Sequence, residues 1–293
     1  MIISISRRTD IPAFFSEWFY NRIEDGYFMV RNPMNIHQVS KVTVTPQNAE
    51  CLVFWTKNPS FSFIENLPKL DEKGFNYYFQ FTITSYAQDI EKSVSRKTEI
   101  IEKFQKLSNQ IGKEKVIWRY DPIILNKKYN FDYHIKYFDY IAEKLSAYTE
   151  KVIISFVDCY SKIKTRLQEN EITDLTQEQM RKLGIALKQI AEKHNLKIES
   201  CSETIDFDDI GIPHGHCIDG ELINRICQRN FIFKKDKTQR KECGCVTSVD
   251  IGSYNTCRHN CAYCYATWNG IIPNSIDNSS PLLGSVLSNE DKV

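Results

Sequence analysis

The sequence predicts an α/β fold with a parallel sheet, arranged as a partial or full (β/α) barrel of the TIM type. Two observations support this prediction: short apolar runs alternate with longer helical patterns, and polar residues follow most of the runs. Strands separated by helices pair in parallel, because each crossover returns the chain to the same edge of the sheet. The carboxyl ends of such strands meet on one rim, where ligands bind.

The predicted strands are short apolar runs that are rich in β-branched and aromatic residues. They are residues 2–6, 51–56, 77–84, 115–120, 151–157, 196–200 and 246–251. Residues 31–48 interrupt the alternation, and we expect a β-excursion or a long loop there.

Helical patterns lie between most of these strands. The pattern over residues 12–27 begins at Pro12, and the pattern over residues 95–112 stops at Gly112. A third pattern, over residues 176–195, has Thr176 as a candidate N-cap. We therefore expect a barrel over residues 1–252, including a cysteine-containing segment at 199–245. Residues 253–293 are predicted to add a C-terminal loop and tail to the same barrel, with residues 274–293 loosely ordered.

Composition and charge narrow the class of protein. The 293 residues are 42% hydrophobic and 26% charged, and 38 basic residues against 37 acidic ones leave a net charge of +1. A chain that is nearly neutral has no overall field to recruit nucleic acid. Neither a signal peptide nor an apolar run long enough to span a membrane is evident, so we expect a cytoplasmic protein. Its ten cysteines are then expected to be thiols, metal ligands or core residues rather than disulfides.

Charged side chains follow most of the predicted strands. Because these strand ends converge on one rim, their side chains are candidate pocket residues; the alternative is that they only begin loops. Candidates for ligand binding are Arg7, Arg8, Asp10, Lys57 and Arg119, and candidates for catalysis are Asp121, Asp158 and Glu203.

Three cysteines, Cys257, Cys261 and Cys264, follow the last predicted strand with the spacing C-x3-C-x2-C. Structural zinc sites and plain ferredoxin clusters take four protein ligands, so three ligands leave one position on an iron open to a substrate or cofactor. Two other interpretations remain. A zinc site could be completed by His259 or by a distant cysteine, or the three cysteines could be core residues on one face of a helix.

The three-cysteine motif, with Tyr263 before its last cysteine, resembles the radical S-adenosylmethionine (SAM) superfamily, and "CAYCYA" is similar to the loop of spore-photoproduct-lyase-like members. The resemblance implies a 4Fe-4S cluster on Cys257, Cys261 and Cys264, with SAM chelating the free iron. Reduction, by a donor such as flavodoxin or ferredoxin, then cleaves SAM to a 5'-deoxyadenosyl radical that abstracts hydrogen from a substrate. The same resemblance implies an oxygen-sensitive enzyme with Tyr263 beside the adenine.

The order of strand and motif differs from that superfamily, whose members carry this loop after their first strand. A circular permutation reconciles the two, and it predicts that residues 246–251 pair in parallel with residues 2–6. Arg7, Arg8 and Asp10 would then face the cluster, with an arginine on the SAM carboxylate and Asp10 on an ammonium or ribose hydroxyl. The whole chain is also similar to a bacterial family, domain of unknown function 1848, that ends in a cysteine-rich segment; this similarity implies no substrate.

A second group of cysteines precedes the motif in polar or glycine-rich stretches. Its members, Cys201, Cys217, Cys243 and Cys245, supply the four ligands of a closed site, either a second Fe-S cluster or a structural zinc. His214 and His216 are additional candidates as ligands or as acid/base groups. The three other cysteines lie singly beside apolar residues and are expected to be buried thiols: Cys51, Cys159 and Cys227.

The sequence thus predicts a radical SAM enzyme that acts on a small molecule. DNA is less favoured as a substrate because a nearly neutral chain is a poor duplex binder. The alternative is a non-catalytic Fe-S or zinc protein, either an electron carrier or a nucleic-acid-binding module, for which the basic run at 234–241 is the only local support.

Overall fold

The structure is a computed structural model that describes residues 1–268 and 277–293. Its strands are β1 (Ile2–Ile5), β2 (Tyr27–Asn32), β3 (Asn35–Thr43), β4 (Cys51–Thr56), β5 (Tyr77–Thr82), β6 (Val116–Ile123), β7 (Lys151–Phe156), β8 (Lys197–Ser200) and β9 (Val249–Asp250). Its α-helices are α1 (Ile11–Phe14), α2 (Ser16–Asp25), α3 (Phe61–Glu65), α4 (Pro68–Lys73), α5 (Lys97–Ile111), α6 (Phe131–Leu145), α7 (Lys164–Glu169), α8 (Gln177–Lys193) and α9 (Gly220–Cys227).

Seven strands form one parallel sheet in the order β8-β7-β6-β5-β4-β1-β9. All seven predicted strands belong to it, which confirms the α/β fold with a parallel sheet. The last predicted strand pairs in parallel with the first, with Ile3 opposite Val249, as the permuted order requires.

Over the described residues the sheet is open. The prediction of a fully closed barrel is therefore not confirmed. The two edge strands of the sheet, β8 and β9, are short, with four and two residues. The chain between them, residues 201–248, is mostly irregular and offers no further long strand to bridge the gap.

Residues outside the alternating pattern form a hairpin. Strands β2 and β3 pair antiparallel, so the predicted β-excursion over 31–48 is present. The expectation of a loose tail is wrong for residues 277–293, because they pack on this hairpin and on α2. Met29 N donates to Pro281 O at 2.9 Å, and the indole N–H of Trp18 donates to Ser280 O at 2.8 Å. Residues 274–276 of that predicted tail lie outside the described residues.

The predicted helices form with local adjustments. The pattern over 12–27 divides into α1 and α2 at Phe15, where the backbone leaves the helical region. The side chain of Asp10 caps α1 through Ala13 N. Helix α8 begins with Thr176 and Gln179 in a capping box, which satisfies two N–H groups that its first turn leaves free.

The two faces of the sheet bury different partners. Alternate residues of β4 show this: Leu52 and Phe54 pack with the helices, whereas Cys51 and Val53 pack with Ile218, Leu222 and other residues of the segment that contains α9. The second face is therefore covered by the chain between β8 and β9. Within residues 1–268 and 277–293, no helix has both the length and the apolar character needed to cross a bilayer.

Candidate functional site

A cavity of about 360 Å³ lies at the carboxyl ends of the strands of the sheet. Parallel strands direct these ends to one edge, so residues far apart in sequence meet there. Every side chain proposed for the rim or the motif lines this cavity: Arg7, Arg8, Asp10, Lys57, Arg119, Asp121, Asp158, Glu203, Tyr263 and both groups of cysteines, Cys201, Cys217, Cys243 and Cys245 with Cys257, Cys261 and Cys264.

The three-cysteine loop, residues 257–264, is irregular rather than helical. The helical part of the core-residue interpretation is therefore wrong, although Cys261 does belong to the hydrophobic core and Cys264 packs against it. Neighbouring elements hold the loop in place through its backbone. Ala262 N donates to Ile90 O at 2.8 Å, Ser93 N donates to His259 O at 3.0 Å, and Arg166 Nη2 donates to Cys264 O at 2.6 Å.

The thiols of this loop are unpaired and partly or fully buried. Burial raises the pKa of the Cys257 thiol to about 12, but backbone N–H groups of His259 and Asp10 also point at its sulfur. The N–H groups of Ala266 and Thr267 do the same for Cys264. Such donors stabilise a thiolate once a metal replaces its proton, so this donor set fits an Fe-S cluster. As the side chains stand, no three or more His, Cys, Asp or Glu residues in the described part of the chain are arranged to hold a metal ion.

His259 and Asp10 connect this loop to the first strand. His259 Nε2 lies 2.7 Å from Asp10 Oδ2, and the same oxygen accepts a hydrogen bond from Lys57 N at 2.7 Å. The other oxygen of Asp10 caps α1. All of these partners are protein groups, so in the structure Asp10 positions the loop instead of presenting a free carboxylate. His259 Nδ1 is buried and has no hydrogen-bond partner among the described residues.

Glu91, which sequence reasoning missed, lies beneath the three-cysteine loop. Its carboxylate accepts hydrogen bonds from Lys57 Nζ at 2.7 Å and from Thr84 Oγ1 at 2.6 Å. It also contacts Lys97 and the hydroxyl of Tyr263. Burial alone would raise the pKa of Glu91, but the charges of Lys57 and Lys97 outweigh burial and hold that pKa well below its usual range. This network of ion pairs and hydrogen bonds thus fixes Lys57 and Tyr263. In the sequence, the only local sign of the network was Glu91 itself, an isolated glutamate in a loop.

The three predicted catalytic carboxylates have different environments. Asp121 is paired with Arg119 and Ser155; burial opposes its ionisation, but the Arg119 charge lowers its pKa. Asp158 is exposed at the mouth of the cavity and pairs with Arg240 at 2.6 Å.

Glu203 is buried, and one of its oxygens accepts a hydrogen bond from Phe156 N at 2.8 Å. Burial raises the pKa of Glu203 to about 8. A carboxyl group that titrates near neutral pH suits proton donation and acceptance, which Asp121 in its ion pair does not.

The two rim arginines also differ. Arg7 Nη2 is buried without a hydrogen-bond partner in the described part of the chain, and its guanidinium lies 5.3 Å from the centre of the Trp55 ring. Arg8 Nη1 donates to Gly252 O at 3.3 Å, and its guanidinium lies over the ring of Tyr254. Arg7 is therefore the cation better placed to bind an anionic ligand group.

The second group of cysteines comes together from three segments. Cys201 Sγ lies 3.0 Å from Cys217 Sγ, Cys217 also contacts Cys245, and Cys245 contacts Cys243. The two candidate histidines are not among the residues that line the cavity; His216 packs so closely on Gly244 that a Cβ there would lie 2.1 Å from its ring. Of the three single cysteines, Cys51 is fully buried, whereas Cys159 and Cys227 are only half-buried.

Comparisons with known proteins give one relationship. No curated protein matches the chain, and no solved structure does. A family model described as domain of unknown function (DUF1848) matches residues 2–266, which cover the parallel sheet, both groups of cysteines and all the charged residues of the cavity. The chain therefore belongs to the DUF1848 family.

Proposed function

We propose that the protein is a radical SAM enzyme built on a partial, circularly permuted (β/α) barrel. One observation carries the proposal: the three-cysteine loop leaves the carboxyl end of β9, and its thiols share one cavity with charged side chains from the ends of the neighbouring strands. Strand β9 pairs in parallel with β1, so it can take the place of a first barrel strand even though it is last in the chain.

Cys257, Cys261 and Cys264 would hold the 4Fe-4S cluster. When bound, this cluster would supply the electron for reductive cleavage of SAM, which would start hydrogen abstraction from the substrate. Arg7 would bind the SAM carboxylate with its unpartnered guanidinium nitrogen, and the Asp10–His259 contact keeps the loop against β1. Glu203 lines the same cavity, and its raised pKa would let it hold a proton for transfer to or from the substrate.

The substrate in this proposal is a small molecule. A cavity of about 360 Å³ is in the range of small-molecule sites, and it lies at the carboxyl ends of the strands. The net charge of +1 gives no support for a duplex partner. A cluster of this kind needs an external electron donor such as flavodoxin or ferredoxin, and ten cysteines without a disulfide fit the reducing cytoplasm.

The proposal is tested by anaerobic purification, measurement of iron and sulfide, and detection of 5'-deoxyadenosine after reduction in the presence of SAM. We expect the wild type to contain both elements and to cleave SAM. Replacing Cys257, Cys261 and Cys264 together by Ala should abolish SAM cleavage, because no ligand to the cluster remains. The matched control replaces Cys51, Cys159 and Cys227 by Ala, which leaves every cysteine of the cavity in place.

Two results would overturn the proposal. A triple loop variant that still cleaves SAM would show that the three cysteines are not its site of cleavage. Wild-type protein that contains iron and sulfide but never cleaves SAM would favour the alternative, a non-catalytic Fe-S protein that carries electrons.

A further inference from the structure

The four-cysteine group comprises Cys201, Cys217, Cys243 and Cys245, and the proposed radical chemistry does not use it. We propose that it binds a single Zn²⁺ ion as a closed structural site that fastens the segment between β8 and β9. The four thiols come from three places on that segment: directly after β8, before α9, and shortly before β9. All four lie against the second face of the sheet, with Cys217, Cys243 and Cys245 buried and Cys201 half-buried.

The spacing of the sulfurs favours one ion over a four-iron cluster. Tetrahedral zinc with Zn–S bonds of about 2.3 Å separates neighbouring sulfurs by about 3.8 Å. Cys201 Sγ and Cys217 Sγ are 3.0 Å apart, and contacts continue from Cys217 to Cys245 and on to Cys243. Widening the Cys201–Cys217 distance by less than about 1 Å would admit zinc between these two sulfurs. A cube of iron and sulfide would have to force these four sulfurs much further apart, against a packed sheet face.

Buried cations beside these sulfurs would stabilise a group that carries negative charge. Four thiolates around Zn²⁺ have a net charge of −2, whereas four thiols have none. Arg119, which is 5% exposed, donates from Nη1 to Cys217 Sγ at 2.5 Å. Arg7 lies close enough to Cys217 and Cys245 to interact with their charge, and Ile218 N donates to Cys245 Sγ at 3.3 Å. Arg119 also pairs with Asp121, so its charge is balanced by that carboxylate as well as by the sulfur.

A zinc ion here would have a clear structural task. After α9 ends at Cys227, the chain runs to β9 at Val249 without a helix or a named strand. Such long irregular segments need another source of order, and a metal shared by Cys201, Cys217 and the Cys243–Cys245 pair joins both ends of the segment. Two side chains of β5 already hold the Cys217 backbone, because Tyr78 OH and Gln80 Nε2 donate to its carbonyl at 2.7 and 2.8 Å.

The test uses the full-length variant in which Cys257, Cys261 and Cys264 are replaced by Ala, so that cluster iron does not interfere. We expect this protein to contain one zinc ion per chain and no sulfide. Production in cobalt-supplemented medium should give the intense visible absorption of Co²⁺ in a tetrahedral site with four thiolates. Adding Cys243→Ser and Cys245→Ser should remove the zinc and the cobalt spectrum, whereas adding Cys227→Ser, a cysteine outside the group, should leave both unchanged.

Absence of zinc from the triple variant together with absence of the cobalt spectrum would refute the site. Iron with sulfide in the triple variant would also refute it and would show a second Fe-S cluster instead. If the serine pair fails to fold, the cobalt spectrum of the triple variant still decides. Since the triple variant has lost the proposed SAM site by design, these results are independent of whether the wild type cleaves SAM.

Discussion

The carboxylate of Asp250 accepts a hydrogen bond from the hydroxyl of Ser6 at 2.7 Å. Its second oxygen accepts from Ser4 Oγ at 2.9 Å and from Arg7 N at 2.8 Å. A strand of two residues has few ladder bonds of its own, so side-chain bonds to β1 hold it at the edge of the sheet. Gly252 permits this approach, because a Cβ there would lie 1.9 Å from Ser6 Oγ. This junction therefore helps to position the three-cysteine loop, together with the loop's hydrogen bonds to Ile90, Ser93 and Arg166.

Asp250→Ala should therefore loosen the junction. The change leaves Ser4, Ser6 and Arg7 N without their acceptor, and each buried donor left unsatisfied costs about 1–3 kcal/mol. We expect a fall of at least about 2 kcal/mol in the free energy of unfolding, measured by urea denaturation, and poorer retention of iron. Asp132→Ala, at an exposed position on α6, is the control. Equal stability of the two variants would show that the ladder alone holds β9.

Glu91→Gln tests the ion pair network beneath the three-cysteine loop. The change removes the charge that faces Lys57 and Lys97, and removing one partner of a buried ion pair costs about 3–5 kcal/mol. It also weakens the acceptor for Tyr263 OH. We expect a large loss of thermal stability and loss of the proposed cluster, followed by circular dichroism and iron content. Glu65→Gln, which removes an exposed partner of Lys106, should change neither measurement.

The sheet could be predicted from the sequence because each strand carries its own local pattern. The group of charged residues at its edge followed from parallel pairing alone. Glu91 and Asp250 could not be predicted, since their roles come from partners such as Tyr263 and Ser6, 172 and 244 residues away. A carboxylate in a loop gives no local sign of the cations or hydroxyls that folding will place beside it.

The role of each rim residue could not be predicted from the sequence either. Asp10 has the charge to bind an ammonium or a ribose hydroxyl, but its oxygens accept from Ala13 N and Lys57 N and contact His259. The tail shows the same limit: its composition is polar, yet Leu282 and Leu283 are buried. In both cases the deciding contacts are made by distant elements, and local composition does not report them.

Arg7→Ala should weaken SAM binding more than Arg8→Ala does. Arg7 has a buried guanidinium nitrogen without a partner, whereas Arg8 already donates to Gly252 O. Loss of a charge-assisted contact should cost about 1.5–3 kcal/mol, which is roughly a ten- to hundred-fold loss of affinity. Calorimetric titration of anaerobically reconstituted protein with SAM measures this loss. Lys234→Ala, at an exposed position, is the control, and an Arg7 variant with the affinity of this control would assign the SAM carboxylate to another residue.

Glu203 should impose a pH dependence on stability. Burial raises the pKa of Glu203 to about 8 in the folded state, above the ordinary glutamate value of 4.5. Between these two values the folded protein binds a proton that the unfolded chain has released, so the free energy of unfolding falls as pH rises through that window. The slope from one such group is about 1.4 kcal/mol per pH unit, and stability levels off above the folded pKa.

Glu203→Gln should remove this contribution, because the amide cannot ionise and keeps an oxygen to accept from Phe156 N. Relative to the wild type, the variant should gain stability from pH 5 to pH 8, measured by urea denaturation at each pH. Glu178→Gln, at an exposed position on α8, should follow the wild-type curve. If Glu203 also transfers the proton in catalysis, Glu203→Gln should lower kcat while SAM cleavage without substrate continues. Parallel stability curves for Glu203→Gln and the wild type would show that Glu203 is ionised at neutral pH and is not the proton donor.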